Sequence, residues 1–177
     1  ERVSVFMPMH WNDQFAANAR VDALVPQLTD PVSGQPALKH VPVRVERFRA
    51  SAYGFAVVRE RPKDIEAAYW AVARCAGGWR LELAFAEECE WPAFAARLLG
   101  LAGDAEMLAY QDRAARRRRF AWFAEGRLMG VLFLAAEPVE VSRAWAVDQL
   151  GVDHADGTAR QAVIAGRPGA GAVDRGA

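Results

Sequence analysis

The sequence has little cysteine and little lysine. Its two cysteines, Cys75 and Cys89, are separated by thirteen residues, a spacing that matches no common set of metal ligands. Two thiols are too few for a disulfide framework, or for a zinc or iron–sulfur site made of cysteine alone. We therefore predict two free thiols that are buried and unreactive. Lys39 and Lys63 are the only lysines among 22 basic residues, which we interpret as an effect of genome composition rather than of function.

Long hydrophobic runs and an excess of charge of either sign are also absent. The longest apolar run, residues 128–136, is interrupted by Gly130 and is far shorter than the ~18 residues of a membrane-spanning helix. The 22 basic and 22 acidic residues cancel, so no overall field favours a nucleic acid or an anionic membrane as partner. No signal peptide is visible. The chain begins with Glu1 rather than Met and directly on a strand pattern, so we expect further polypeptide upstream, with or without a signal.

The common catalytic motifs are missing as well. The sequence contains no Gly-x-Ser-x-Gly elbow, no Walker loop and no His-Glu-x-x-His zinc motif. None of its three histidines, His10, His40 and His154, belongs to such a motif. The glycines at 166–171 follow no predicted strand and open no predicted helix, so we interpret them as linker. The sequence therefore predicts no catalytic residue and no metal ligand in this chain.

Residues 1–50 predict an incomplete sheet. The apolar residues of 3–7 alternate with others, as do the valines of 41–49 with charged residues, which is typical of strands. Between them lie a short helical stretch at 16–24 and a cluster of turn formers at 29–36, which is either an ordered or a flexible loop. Two strands cannot enclose a core alone. Either the second half of the chain completes this sheet or the partner strands lie in upstream polypeptide, and we favour the second interpretation.

Residues 51–151 predict a small α+β domain in which strands and helices alternate. The predicted strands are 55–59, 79–86, 117–123 and 127–135, and the predicted helices are 62–75, 91–99, 104–114 and 143–150. Pro62 indicates the start of the first helix, and Gly77 indicates its end. The tail 152–177 is rich in small and turn-forming residues, which predicts a flexible linker.

Four consecutive arginines at 116–119 precede the aromatic residues Phe120, Trp122 and Phe123. One interpretation is a strand that binds phosphate or RNA. We favour a sheet strand whose alternate arginines face solvent and whose aromatic side chains fill the core. A docking site for an acidic protein, such as an electron donor, stays open as the alternative function of this region.

The residues His10, Trp11, Asn12 and Asp13 follow the first predicted strand directly. They form either a capped loop with a packed tryptophan or a loop that faces a ligand, since loops on rigid scaffolds often carry binding residues. The residue types alone leave both interpretations open.

Four segments occur in a fixed order within the first 45 residues. They are VFMPMHWND at 5–13, RVDAL at 20–24, DPVSGQPALK at 30–39 and PVRV at 42–45. In this combination they resemble the C-terminal molybdopterin-dinucleotide-binding domain of molybdenum oxidoreductases, and most of all that of bacterial assimilatory nitrate reductases. The segment GGWRLEL at 77–83 and the hairpin near 118–128 are similar to the region that follows this domain in the same enzymes.

This resemblance implies a fold, a cofactor and a reaction. Residues 1–50 would be the second half of a double-psi β-barrel, followed by the small α+β domain 51–151 and the flexible tail. The family binds a molybdenum bis(molybdopterin guanine dinucleotide) cofactor and reduces nitrate to nitrite, and the assimilatory enzymes imply a cytoplasmic location. The metal's thiolate ligand and the iron–sulfur clusters would lie outside this chain. Its partners would then be the rest of the polypeptide and an electron donor, and the chain alone would be inactive.

The resemblance also implies five cofactor-binding residues. They are His10, Trp11, Asn12, Asp22 and Lys39. The first three would lie near a pterin, and Lys39 would donate to a pyrophosphate or a pterin carbonyl. Asp22 stands where the family usually has asparagine, and its carboxylate would repel a phosphate-rich ligand unless it pairs with a cation such as Arg20. The alternative for Asp22 and Lys39 is a structural turn with a salt bridge.

Overall fold

The computed structural model describes residues 4–36, 41–99 and 105–168. The chain divides into two compact units, Glu1–Arg49 and Ala50–Ala177, which we call the N-terminal and the C-terminal unit. The strands and α-helices of the described residues all belong to the C-terminal unit, which is of the mixed α and β class that the sequence predicts.

A six-stranded antiparallel sheet forms the centre of the C-terminal unit. Its strands are β1 (Ala52–Val58), β2 (Tyr69–Cys75), β3 (Gly78–Phe85), β4 (Glu106–Asp112), β5 (Arg117–Ala124) and β6 (Arg127–Ala135). They lie in the order β2-β3-β1-β6-β5-β4, and every neighbouring pair is antiparallel. β1 and β6 are therefore central, while β2 and β4 are the edges.

Helices cover both faces of this sheet. They are α1 (Trp91–Leu99), α2 (Arg143–Asp148) and α3 (Gly157–Ala165), with a short 3-10 helix, Gln149–Gly151, directly after α2. Phe94 and Leu98 of α1 belong to the apolar cluster on one face. Ala146 of α2 and Val163 of α3 belong to the cluster on the other face. The unit thus has three layers, with the sheet between α1 and the pair formed by α2 and α3.

β1 is apolar along its length because both of its faces are covered. Ala56 and Val58 pack into the cluster with α1, whereas Phe55 and Val57 pack into the cluster with α2 and α3. Full burial of a valine or phenylalanine side chain contributes about 1.5–3 kcal/mol relative to exposure. The central strand therefore anchors two hydrophobic clusters at once.

Several predicted elements of this unit are confirmed. The hairpin of β5 and β6 turns at Glu125 and Gly126, whose φ angles of +50° and +72° suit the two-residue turns that match the twist of paired strands. The helix predicted at 91–99 is present with the same bounds. The strand predicted at 79–86 and the helix predicted at 143–150 are present with shifts of one or two residues at their ends.

The helix predicted at 62–75 is wrong. Residues 62–68 form no helix, and β2 follows them as an edge strand paired with β3 along its whole length. Trp70 and Val72, two positions apart, both pack into the cluster with α1. Gly77, with a φ of +76°, turns the chain into β3 rather than ending a helix. Pairing and burial here outweigh the helical propensity of an alanine-rich segment.

Two further predictions are wrong. The helix predicted at 104–114 is the edge strand β4, paired with β5. The tail predicted as a linker contains α3, and Val163 and His154 in it are fully buried. The linker prediction thus fails for residues 152–168, and residues 169–177 lie outside the described part of the chain.

The N-terminal unit has little regular structure. It contains one 3-10 helix, Val21–Leu24, where the sequence predicts a helical stretch at 16–24, and an isolated bridge between Thr29 and Pro36. Neither residues 4–7 nor residues 41–49 form a strand, because no described segment pairs with their backbone groups. The predicted half of a double-psi barrel is therefore not confirmed.

Among the described residues, we find no helical stretch with the length and hydropathy of a bilayer-spanning segment.

Candidate functional site

The residues predicted to lie near a pterin form a tight turn. The backbone N–H of Trp11 donates to the carbonyl of Pro8 at 3.2 Å. The Nδ2 of Asn12 donates to the carbonyl of His10 at 3.3 Å, and its Oδ1 accepts from the backbone N–H of Gln14 at 2.9 Å. The Asn12 amide is thus used within the turn, as is common for asparagine side chains that bond to nearby backbone.

His10 and Trp11 are displayed by this turn. Trp11 is 54% exposed and His10 is also exposed, so the loop is capped but its tryptophan is not packed. A neutral imidazole offers one donor and one acceptor, and an indole offers one donor. The turn therefore presents hydrogen-bonding groups and two aromatic faces to whatever lies beside it.

Asp22 pairs with Arg20. The Nη2 of Arg20 lies 3.0 Å from the Oδ2 of Asp22. The hydrogen bond from Arg20 holds the pKa of Asp22 below its usual range, and the same bond raises the pKa of Arg20. The cation that the sequence analysis required beside this carboxylate is present, so the charge of Asp22 is compensated locally.

The turn-forming cluster at 29–36 is an ordered loop. The Oδ1 of Asp30 accepts from the backbone N–H groups of Val32 and Ser33 and from the hydroxyl of Ser33, at 2.7–3.0 Å. The bonds from Ser33 are the main reason that the pKa of Asp30 lies below its usual range. Gly34 closes the loop with a φ of +69°, a conformation that glycine adopts at little cost. Lys39, the fifth predicted site residue, lies outside the described residues.

The N-terminal unit has no buried side chain among its described residues. Its exposed large apolar residues are Val5, Phe6, Met7, Met9, Trp11, Phe15, Leu24, Leu28, Val32, Val43, Val45 and Phe48. Phe6 is 90% exposed. Exposed apolar surface on this scale is typical of a segment that packs against a partner.

In the C-terminal unit, the four consecutive arginines at 116–119 lie on two sides of β5. Arg116 and Arg118 lie 3.1 and 3.4 Å from the carboxylate of Glu88. The indole of Trp91 donates to the same carboxylate at 2.7 Å. The bond from Trp91, followed by the interactions with the two arginines, holds the pKa of Glu88 below its usual range. This half of the run is therefore compensated by an acidic residue.

Arg119 lies on the other side of the strand, as the alternation of side chains requires. Its Nη1 donates to the carbonyl of Ile164 in α3 at 2.7 Å. The aromatic residues that follow are buried, as predicted: Phe120, Trp122 and Phe123. The prediction that alternate arginines face solvent holds for Arg116 and Arg117, which are exposed, and only in part for Arg118 and Arg119, which are half-buried.

The thiols are free, as predicted. Their predicted burial is wrong, because Cys75 is only partly buried and Cys89 is exposed. Partial desolvation raises the pKa of both thiols. The reactive thiolate form is therefore disfavoured. Within the described ranges, no group of three or more histidine, cysteine or acidic side chains is arranged to hold a metal ion.

The linker prediction missed the contribution of α3 to the surface beside β5. The sequence does contain signals for this helix. Asp156 accepts from the backbone N–H of Thr158 at 3.1 Å as the N-cap, and Gly166 ends the helix with a φ of +65°. A capping aspartate and a terminal glycine that enclose residues such as Val163 and Ile164 are a recognisable helix signature.

Part of the chain is similar to a known oxidoreductase. A stretch of 42 residues is 52% identical to a protein named nitrate reductase from Klebsiella oxytoca. That stretch covers 24% of this chain and 5% of the nitrate reductase, so the chain spans only a small share of its relative's length. No family model matches the chain, and no solved structure matches it. The similarity thus relates a segment of this chain to oxidoreductases and, within them, to a nitrate reductase.

Proposed function

We propose that this chain is a cofactor-binding C-terminal part of a molybdenum oxidoreductase that reduces nitrate to nitrite. The observation that carries the proposal is the 52% identity over 42 residues to a nitrate reductase. The four ordered segments between residues 5 and 45 support it, because together they resemble the molybdopterin-dinucleotide-binding domain of this class of enzyme.

His10 and Trp11 would hold the heterocyclic part of the cofactor. The turn that Asn12 braces presents both rings to the outside, and such rings suit a planar, hydrogen-bonding pterin or guanine. Lys39 supplies a compact cation for a pyrophosphate. When bound, the molybdenum cofactor supplies the oxygen-atom transfer chemistry, while these residues orient it and contribute donors.

The compensated charge of Asp22 is compatible with an anionic ligand. An unpaired carboxylate would repel the phosphates of a dinucleotide, whereas the Arg20–Asp22 pair at 3.0 Å has no net charge. Arg20 keeps further N–H groups that can reach a phosphate oxygen, since a guanidinium has five. In this proposal Asp22 orients Arg20, and Arg20 makes the contact with the ligand.

The N-terminal unit would pack against the remainder of the same polypeptide. Its described residues include many exposed apolar side chains and no buried one, which agrees with a half-barrel whose other strands are supplied from elsewhere. The chain alone would then bind the cofactor poorly and have no activity, and electrons would reach the metal from a separate donor protein or domain.

The test uses the complete protein encoded by the uninterrupted reading frame. We expect Trp11→Ala and Lys39→Ala to reduce molybdenum and guanine nucleotide per polypeptide, measured by mass spectrometry and chromatography. Loss of a hydrogen bond to a charged group costs about 1.5–3 kcal/mol, or roughly tenfold or more in affinity. Lys63→Ala is the matched control, because it removes the other lysine of the chain.

Two results would refute the proposal. One is a complete protein that has no cofactor-binding body and no cysteine-rich cluster motif before this region. The other is a molybdenum-containing nitrate reductase whose metal and nucleotide content are the same in Trp11→Ala, Lys39→Ala and Lys63→Ala.

A further inference from the structure

A cleft of about 640 Å³ opens in the C-terminal unit between β4, β5 and α3. Leu108 and Tyr110 of β4 and Ile164 of α3 form part of its wall. The volume falls within the ~300–1,000 Å³ that is typical of sites for small molecules. The cleft is open to solvent, and its wall combines polar and apolar groups.

Three guanidinium groups line this cleft. They belong to Arg117, Arg119 and Arg167, and no acidic residue is among the described residues of its wall. None of the three takes part in a salt bridge within the described part of the chain. The neighbouring Arg116 and Arg118 differ, because both are paired with Glu88 on the other side. Asp112 stands opposite Arg117 in the pairing of β4 with β5, but its Oδ1 accepts from the backbone N–H of Ala115. The three arginines of the cleft therefore outnumber the acidic residues beside them.

Arg119 is held in place before any ligand arrives. One N–H group donates to the carbonyl of Ile164 at 2.7 Å, and the guanidinium lies 5.7 Å from the centre of the Tyr110 ring. Partial burial, together with the charges of Arg117 and Arg167, lowers the pKa of Arg119 from its ordinary value. The positive charges of Arg117 and Arg167, which contribute to this lower pKa, favour an anion between the three guanidinium groups.

The end of α3 positions Arg167. The backbone N–H of Gly166 donates to Val163 at 3.0 Å, and that of Arg167 donates to Ala162 at 3.4 Å. These two bonds form a Schellman motif, in which the left-handed glycine reverses the chain. A Cβ on Gly166 would lie 3.0 Å from Cγ2 of Val141 and 3.2 Å from Cε1 of Phe133, so close packing also favours glycine at this chain reversal.

We propose that this cleft binds a small polyanion that carries a phosphate group, with Arg117, Arg119 and Arg167 as its charged ligands. Planar guanidinium groups match phosphate oxygens in pairs, and such charge-assisted bonds are among the strongest hydrogen bonds in proteins. Three cations suit a ligand with at least two negative charges. Leu108, Ile164 and the Tyr110 ring offer apolar contact to an organic part. This site uses residues of the C-terminal unit only and does not depend on the cofactor proposed for the N-terminal unit.

The test is calorimetric titration of the 177-residue chain with pyrophosphate and, separately, with AMP, at constant ionic strength. We expect saturable binding at one site by at least one of the two, which also tells an inorganic from an organic phosphate. Arg117→Gln and Arg167→Gln should each weaken it about tenfold or more. Arg74→Gln is the matched control, because Arg74 is an exposed arginine on the opposite edge strand, β2, and its loss changes the net charge equally.

Arg119→Lys gives a second variant that keeps the charge but loses the planar fork. We expect weaker phosphate binding, with the thermal unfolding midpoint recorded alongside because the bond to Ile164 is also lost. If Arg119→Lys folds and binds phosphate as tightly as the unmodified chain, recognition of phosphate by the planar guanidinium of Arg119 is refuted.

Four results would overturn the proposal. Absence of saturable binding of both phosphates, or equal weakening by Arg74→Gln and Arg117→Gln, would show that no specific site exists. Citrate bound as tightly as pyrophosphate would show that the cleft distinguishes charge but not phosphate. A poly-glutamate peptide bound more tightly than either phosphate, with loss in the same variants, would make the cleft a docking surface for an acidic protein instead.

Discussion

The two units of this chain differ in what holds them together. The N-terminal unit has hydrogen-bonded turns and loops, yet none of its described residues is buried. The C-terminal unit has a sheet covered on both faces. Local order and a buried core are thus separate properties, and among the described residues only the C-terminal unit has both.

The difference follows from where each unit finds its partners. Strand β1 has a neighbouring strand on both edges, β3 and β6, and apolar contacts on both faces. In the N-terminal unit, the described hydrogen bonds join residues only a few positions apart. Such local bonds set the shape of turns and loops, but they bury little apolar surface and contribute little free energy of folding.

The largest expected effect compares a phenylalanine from each unit. Phe55 is fully buried, its ring stacks with that of Phe133 at 6.2 Å between centres, and the guanidinium of Arg143 lies 4.3 Å from its centre. We expect Phe55→Ala to lower the free energy of unfolding by about 3–5 kcal/mol, because it leaves a cavity between sheet and helices.

Phe6→Ala is the matched change in the N-terminal unit. Phe6 is 90% exposed, so we expect a change within about 0.5 kcal/mol. Both variants are compared by equilibrium urea unfolding followed by circular dichroism. An equal loss of stability in the two variants would mean that the N-terminal unit has a core of its own, and the contrast between the units would be wrong.

The fold was predictable from the sequence where contacts are local. The hairpin of β5 and β6 has a two-residue turn at Glu125 and Gly126 between alternating strands, so its signal lies within one short segment. The edge strands β2 and β4 have no such signal. Their sequences suit a helix as well as a strand, and the choice is made by β3 and β5, which supply the pairing partners.

The two candidate sites also differ in whether their contacts are local and therefore predictable from the sequence. The pair of Arg20 and Asp22 joins residues two positions apart, and the sequence alone suggested it. The bond between Arg119 and Ile164 spans 45 positions, and the helix that supplies Ile164 was mistaken for a linker. The cleft could not be predicted because its two walls come from distant segments whose association depends on packing.

A smaller effect is expected at the start of α3. Asp156 caps this helix through the backbone N–H of Thr158, so Asp156→Ala should lower the free energy of unfolding by about 1 kcal/mol. Asp64→Ala removes the same charge from an exposed loop and should change it much less. Urea unfolding of both variants gives the comparison, and equal stability would mean that α3 adds nothing to the C-terminal unit.

The smallest expected effect is the pH-dependent contribution of one carboxylate from each unit to the free energy of unfolding. The bonds of Glu88 to Trp91, Arg116 and Arg118 lower its pKa in the folded state. A lowered pKa adds stability above the pKa of the unfolded chain, and this contribution is lost as the pH falls through the folded value. Because Glu88 is largely solvated, screening limits the gain, and Glu88→Gln should cost about 0.5 kcal/mol at pH 7.

This cost should vanish in acid, where Glu88 is protonated in the unmodified chain as well, and it should shrink in high salt. Asp22 also has a lowered pKa, from the bond with Arg20. Asp22→Asn should nevertheless leave the urea midpoint of the C-terminal unit unchanged at every pH, since Asp22 belongs to the other unit. A pH-dependent shift of that midpoint in Asp22→Asn would show that the units are energetically coupled, because an ion pair confined to one unit cannot otherwise stabilise the other.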